Sequence, residues 1–432
     1  MKVIIMAGGK GTRIASIASD VPKPMIPIGG KPILQHQIEN LRAAGLTDIT
    51  LVIGHLGSVI RDYFADGKRL GVKIDYFVET QPLGTAGALF HMDLRDDFLL
   101  LCGDVIIDVD FQRFIQFHRD HDAWASLIAH PNGHPYDSSL LVTETLPPAQ
   151  SGALPVSTGR VVRWMNKEDE RLYYKNRVNA GIEILSPQLL QTARAALGLP
   201  ITKVDLDRDV LKPAIPSGKI FAYDTPEYIK DMGTPDRYHE VEHDIATGLV
   251  HARNLSQPQK AIFLDRDGTI NQYVGFLSDP AQFELLEGAA EAIRRINKSG
   301  YLAIVVTNQP VIARGEASWD TLQRIHDKME TLLGREGAFI DALYVCPHHP
   351  DSGFPGERPE YKRVCTCRKP APGLLLQAAR DLNIDLTQSA LIGDDTRDTQ
   401  AAEAAHLKDA IQIPTNQPNA LLHAVNQLLE GA

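Results

Sequence analysis

A chain of 432 residues, 44% hydrophobic and 23% charged, has room for two or three packed domains at roughly 150 residues each. Its net charge of −10 argues against the basic surface that nucleic acid or an anionic membrane would need. No apolar run approaches the ~18 residues of a membrane span, and "MKVIIMAGGKG" turns to glycine too early for a cleavable signal. A cytoplasmic protein is expected, with no nucleic-acid or membrane partner. Four cysteines in so long a chain, Cys102, Cys346, Cys365 and Cys367, do not make a disulfide framework.

From the N-terminus, β-rich runs alternate with helical patterns: "KVIIMAGG", "KPILQHQIENLRAAGL", "DITLVIG", "VKIDYFVE", "DFLLLCGD". That alternation predicts an α/β domain with parallel strands. "MAGGKGTR" (6–13) follows the first strand. There Gly8, Gly9 and Gly11 would let backbone N–H groups approach an anion, and Arg13 adds a forked phosphate donor. Such a stretch can equally be a tight turn, and it has neither Walker nor dinucleotide spacing. "PKPM" (22–25) sets Lys23 on a proline-stiffened loop suited to a second phosphate. "LLLCGD" ends a buried strand at Asp104, and "DMGTPDRY" offers Asp231. A carboxylate at a strand end commonly caps a turn, but two beside a phosphate loop make a candidate Mg²⁺ pair.

In the order "AGGKGTR", "PKPM", "PLGTAGAL", "CGD", "VNAGIEIL", "DMGTP", the chain over roughly 1–240 resembles the sugar-1-phosphate nucleotidyltransferases, particularly the guanylyltransferase branch. The resemblance implies a Rossmann-like mixed sheet with the nucleotide over the glycine loop. It also implies triphosphate on Arg13 and Lys23, and catalytic Mg²⁺ on Asp104 and Asp231. A sugar phosphate oxygen would attack the α-phosphorus of an NTP, and pyrophosphate would leave; positioning and charge neutralisation supply most of the rate. Five residues before Gly84 stands Glu79, where uridylyl- and thymidylyltransferases often carry Gln. A carboxylate only accepts hydrogen bonds, which suits the N1–H and N2–H₂ donors of guanine, so GTP is the expected nucleotide. Where relatives often have Glu-Lys against the sugar phosphate, this chain reads Asn166-Lys167. Lys167 is retained as a phosphate contact, and Asn179 of "VNAG" becomes the sugar-contact candidate.

Near 246–260, "ATGLVHARNLSQPQK" loses periodicity and gathers turn-formers. The expected division is 1–245, a linker at 246–259, and a second α/β domain over 260–432. There "FLDRDGT" (263–269) ends a strand in Asp265 and Asp267; an EF-hand would place its glycine later, while an Asx-turn stays open. "IVVTNQ" ends a strand at Thr307 and Asn308, "CRKP" supplies Lys369, and "LIGDDTRD" ends a third strand in acids including Asp394. A carboxylate nucleophile, a second carboxyl to shuttle protons, a hydroxyl, an ammonium and Mg²⁺ form a working set for phosphoryl transfer through a covalent intermediate.

The order and context resemble the haloacid-dehalogenase-type (HAD) phosphatases over essentially all of 260–420, which implies a parallel Rossmannoid sheet. By that resemblance Asp265 attacks phosphorus, and Asp267 protonates the leaving group and then activates water. Thr307, Asn308 and Lys369 serve the phosphoryl group, and Mg²⁺ sits on Asp265, Asp394 and the backbone carbonyl of Asp267. "VCTCRKP" (364–370) and the upstream "CPHH" give Cys346-x-His348, sixteen residues, then Cys365-x-Cys367, a closed S₃N set suited to structural Zn²⁺; His349 is an alternative ligand. The loop 346–367 is too rich in Pro, Gly and charge for an apolar core, so the metal would pin it and aim Arg368 and Lys369 at substrate phosphate.

With "DRDGTINQYVGF" and "TNQPVIARG", this loop looks like that of the D-glycero-D-manno-heptose 1,7-bisphosphate phosphatases, although histidinol-phosphate phosphatases share a similar zinc loop. Pro310-Val311 stand where Ser-Gly is common, and Asp395 where a basic residue is frequent; Arg314 is a candidate ligand for the distant phosphate. Together the halves imply consecutive steps toward a GDP-heptose for surface polysaccharide: removal of the C7 phosphate, then guanylyl transfer to the 1-phosphate. Two other readings stand beside it, a non-catalytic nucleotide-sugar-binding first half and a phosphatase for another small phosphomonoester.

Overall fold

The computed structural model describes residues 1–8, 21–146, 156–353 and 355–431. The first half contains strands β1 (Lys2–Met6), β2 (Asp48–Ile53), β3 (Lys73–Val78), β4 (Phe98–Cys102), β5 (Val105–Asp108), β6 (Ala125–His130), β7 (Leu140–Leu146), β8 (Val156–Met165), β9 (Val178–Leu185), β10 (Ile220–Asp224) and β11 (Tyr228–Asp231). Nine of them make one sheet in the order β3-β2-β1-β4-β9-β6-β10-β8-β7. The first four are parallel, but β9 runs antiparallel to both β4 and β6. The sheet is therefore mixed, where strand–helix alternation on its own suggested a parallel one. Strand β1 is apolar on both faces: Val3 and Ile5 enter one core, Ile4 the other, as a sheet covered on both sides requires. The remaining pair, β5 and β11, is an antiparallel ribbon that sets Asp231 opposite Val105.

The second half holds β12 (Lys260–Leu264), β13 (Tyr301–Asn308), β14 (Ala342–Cys346), β15 (Ala390–Gly393) and β16 (Asp409–Gln412). They form an all-parallel sheet in the order β14-β13-β12-β15-β16. Helices on both faces bury Ile262, Leu264 and Val305 on one side and Phe263, Ile304 and Val306 on the other. Parallel register brings the carboxyl ends of β12, β13 and β15 to one edge, the usual place for a ligand crevice in such sheets.

The expected linker is itself ordered. The short helix Leu249–Ala252 falls within it, and Arg253, Asn254, Leu255 and Gln259 are buried. Arg253 donates to the backbone carbonyls of Asn297, Ser299 and Tyr301 and lies 3.5 Å from Asp341. The long helix Trp319–Arg335 faces the first half. Its Glu330 accepts from the Asn176 amide at 2.9 Å and from the Arg177 guanidinium at 3.2 Å. Its Thr331 accepts from the Tyr174 amide at 2.9 Å. Arg177 also pairs with Asp224 at 2.5 Å and donates to the Asp341 carbonyl. Among the described residues no helix is long and apolar enough to cross a membrane.

Removing one partner of a buried ion pair leaves an uncompensated charge. Glu330→Ala is accordingly expected to cost about 3 kcal/mol, read as a lower urea midpoint for the intact chain. Asp93→Ala, which removes the exposed pair with Arg95, is expected to leave the midpoint unchanged.

Candidate active sites

In the first half the phosphate-loop residues Gly9, Gly11 and Arg13 lie outside the described residues. What surrounds them is clear. Gly8 ends the strand-to-loop exit, and a Cβ there would come within 3.2 Å of Glu79 Oε2. Glu79 thus stands directly beside the start of the loop, with Oε1 accepting from the Leu83 amide at 3.3 Å; burial raises its pKa. Gly84 has φ +83°, and a Cβ there would meet the Val204 carbonyl at 2.3 Å, so only glycine fits this crossing. Lys23 Nζ contacts Asp104 Oδ2 at 2.5 Å. The β5–β11 ribbon brings Asp231 to the same end as Asp104, where it accepts from Arg237 at 2.7 and 3.0 Å and from the Gly233 amide. Burial opposes its charge, but Arg237 outweighs burial and the pKa falls below the ordinary value.

A cavity of about 920 Å³ runs between the two halves; Asp231 lines it, whereas Gly8, Lys23, Glu79 and Asp104 do not. Asn179, Glu183, Asp207 and Asp231 line it from the first half, and Lys298 and Phe339 from the second. Glu183 was not singled out by sequence reasoning. It sits four residues after Asn179 on β9, past a register irregularity of that strand, lines the same cavity, and is 2% exposed with Oε1 unpartnered. Burial and then the nearby Asp207 hold its carboxyl well above the usual range, and burial raises Asp207 itself to about 6. A carboxylate inside the apolar run "GIEIL" was the available signal. Lys167 is not among the residues lining this cavity; its ammonium is exposed, 3.9 Å from Glu168. Asn166 is occupied by Asp169 and Lys212.

The second site is a cavity of about 350 Å³ at the carboxyl edge of the parallel sheet. Asp265 directly follows β12, Thr307 and Asn308 end β13, and Asp394 follows β15. Lys369 reaches them from just beyond the Cys365-x-Cys367 pair: its buried ammonium lies 2.8 Å from Asp265, 2.6 Å from Asp398 and 2.8 Å from the Val306 carbonyl. Asn308 fixes that loop by exchanging hydrogen bonds with the Lys369 backbone. Burial pushes Asp265 up to about 7, with Lys369 opposing and Asp398 adding. Burial works against the Lys369 charge too, but Asp265 and Asp398 outweigh it and raise its pKa.

One oxygen each from Asp265, Asp394 and Asp398 lies within 4.8 Å of the others, an all-carboxylate set that suits a hard divalent cation. Sequence reasoning included Asp265 and Asp394 but not Asp398, although "GDDTRD" contained it. The Asp267 side chain is not part of this cluster; it is held by Arg266, Asn271 and Gln309. Gly268 is obligatory beside them, since a Cβ there would lie 2.2 Å from Asp394 Oδ2. Arg368 lines the cavity while donating to the His348 carbonyl. Arg314 is absent from the lining; it stacks 3.9 Å from the Phe276 ring centroid, whose residue does line it, and pairs with Glu316.

Cys346, His348, Cys365 and Cys367 converge so that their ligand atoms all lie within 4.8 Å of one another. The Sγ···Sγ separations are 3.2, 3.3 and 3.6 Å, and His348 Nδ1 stands 3.4 Å from Cys367 and 3.7 Å from Cys346. Tetrahedral ligation at about 2.3 Å gives ligand edges near 3.8 Å, so this donor set fits a tetrahedral thiolate–imidazole metal. His349 instead lines the 350 Å³ cavity.

The Nucleotidyl transferase family model matches residues 2–248, and the HAD-hydrolase-like model matches residues 366–413. The chain is 41% identical over 160 residues to the D-glycero-beta-D-manno-heptose-1,7-bisphosphate 7-phosphatase of Pasteurella multocida (strain Pm70), covering 37% of this chain and 84% of that protein. It is 40% identical over 164 residues to the enzyme of the same name from Escherichia coli (strain K12), covering 38% and 84%. Among solved structures, HddC from Yersinia pseudotuberculosis aligns over 56% of this chain and 99% of its own, at 25% identity and TM-score 0.45.

Proposed function

Since the chain belongs to the nucleotidyl transferase family through its first half and to the heptose-bisphosphate 7-phosphatases of HAD type through its second, we propose that one polypeptide performs two consecutive steps of heptose activation. In the first, the C7 phosphate of D-glycero-D-manno-heptose 1,7-bisphosphate is removed. In the second, the resulting 1-phosphate attacks the α-phosphorus of GTP to give a GDP-heptose and pyrophosphate. The observation that carries the reading is the convergence of Asp265, Thr307, Lys369 and Asp394 at one strand-end cavity, each from a different element.

At that cavity Asp265 is the nucleophile. Its Oδ bonds to phosphorus as the bond to the sugar O7 breaks, and Asp267 delivers the proton that O7 takes up. Asp267 then accepts a proton from water as that water attacks phosphorus, which frees Asp265 and releases phosphate. Lys369 and Thr307 hold the phosphoryl oxygens. Asp265 and Asp394 would hold Mg²⁺, which when bound would supply the positive charge that lets one anion approach another. In the first half Lys23, beside Asp104, steadies the triphosphate, and Asp104 and Asp231 would suit a second Mg²⁺. Glu79, beside Gly8, accepts from the two donor groups of guanine, while Asn179 and Glu183 face the sugar.

Three outcomes are expected. With heptose 1,7-bisphosphate, supplied as each anomer separately, and each NTP in turn, phosphate appears first and pyrophosphate then requires GTP. Phosphate without pyrophosphate from any NTP would remove the guanylyltransferase reading and the Glu79 argument with it. Gly268→Ala, whose Cβ would collide with Asp394, is expected to lower phosphate release by about 100-fold, on the scale of removing a catalytic acid–base group, while sparing pyrophosphate release from heptose 1-phosphate and GTP. Metal analysis of the purified chain should find one zinc, lost in Cys367→Ser together with thermal stability of the second half; retention of zinc by that variant would rule out this ligand set.

A further inference from the structure

Arg266, the residue between the two aspartates of "DRD", has no part in the chemistry described above. Yet among the described residues it is the largest fully buried side chain, at 0% exposure. A guanidinium stays charged at any working pH, so full burial requires every donor direction to be answered. Its Nε donates to Asp267 Oδ1 at 3.1 Å, and its Nη2 donates to Oδ1 and Oδ2 at 2.8 and 2.7 Å. Its Nη1 points the other way, 3.0 Å from His326 Nε2. Because Arg can only donate, His326 must accept there with a neutral ring. Burial, with Arg266 beside it, does hold the His326 pKa well below the ordinary value. Among the described residues Asp267 is the only carboxylate that Arg266 meets.

Resting on the phosphatase reading, we propose that Arg266 is a positioning residue that aims the Asp267 carboxyl at the leaving oxygen, with neutral His326 fixing the plane of the guanidinium. A buried pair of this kind adds little net stability relative to apolar residues of the same size. What it does provide is direction. A planar fork holds a carboxylate in one orientation as a lysine cannot. The remaining contacts complete the frame: Asn271 Nδ2 donates to Oδ1 at 2.9 Å and Gln309 Nε2 to Oδ2 at 2.8 Å. Gln309 also donates to Thr307 Oγ1 at 2.8 Å, which ties the acid to the phosphoryl-binding hydroxyl. The carboxyl therefore stays at the cavity wall and apart from the Asp265–Asp394–Asp398 cluster.

The test is leaving-group selectivity, which a purely structural role would not move. A sugar alkoxide needs a proton as it departs, whereas p-nitrophenolate leaves without one. In the full-length chain with Mg²⁺, kcat/KM is measured for heptose 1,7-bisphosphate and for p-nitrophenyl phosphate. Asp267→Asn should raise the aryl-to-sugar ratio by about 100-fold, the scale of a lost general acid. Arg266→Met should raise it by about 10-fold. Should Arg266→Met fail to fold, Arg266→Lys, which keeps the charge without the fork, should still raise the ratio about threefold, and His326→Gln, which keeps an acceptor, should leave it near wild type. An unchanged ratio in the folded Arg266 variants, with Asp267→Asn shifting it, overturns the positioning role alone. An unchanged ratio in Asp267→Asn overturns the general-acid reading from which the inference starts.

Discussion

The arrangement of the molecule hangs on a group of charges buried where the halves meet. Arg177 faces Asp224 on its own half and Glu330 on the other, and Arg253 spans to Asp341 and three carbonyls. Buried ions are costly unless geometry and hydrogen bonding are complete, and here both are largely met. Asp341 also accepts from the Ala303 amide, so the charges are tied to the strand ends of the second sheet. The result is a defined docking geometry, and the 920 Å³ cavity takes its walls from both halves because of it.

That docking fixes how the two cavities are related. The residues of the second half that meet Arg253 of the linker, Asn297, Ser299, Tyr301 and Asp341, lie at or just before the amino ends of β13 and β14, and Asn297, Lys298 and Asp341 line the larger cavity there. The phosphatase cavity lies at the carboxyl ends of the parallel strands. A five-residue strand spans roughly 17 Å, so the two cavities open at opposite edges of the second sheet. Each site can then keep its own electrostatics. The smaller one gathers carboxylates around a single buried ammonium, and the larger one places carboxyl groups with raised pKa along a wall suited to hydroxyl donors.

Much of this was legible in the residue order. Strand, glycine loop and strand-end carboxylate are local patterns, and their physical causes are local: backbone N–H access, β-branched strand runs, metal-ligand spacing. The Cys346-x-His348 and Cys365-x-Cys367 set, the Asp265–Asp267 pair and Lys369 were singled out from such patterns, and Glu79 from the resemblance to the nucleotidyltransferases. Three features were not. Asp398 was hidden because its role comes from Lys369, twenty-nine residues away in sequence. Glu183 looked like an interruption in an apolar strand. Lys167, expected on the sugar phosphate, is exposed beside Glu168 and does not line the cavity.

Residue order also established two α/β units and the chemistry each could support, since periodicity, turn glycines and ligand spacing act over a few residues. The tertiary structure decided the rest: the antiparallel turn of β9 in the first sheet, the docking of the halves through Arg177 and Glu330, and the bridging of Asp265 and Asp398 by Lys369. It also decided the burial of Arg266 between Asp267 and His326. These depend on which distant groups share a low-dielectric site, because only there does a charge need a specific partner.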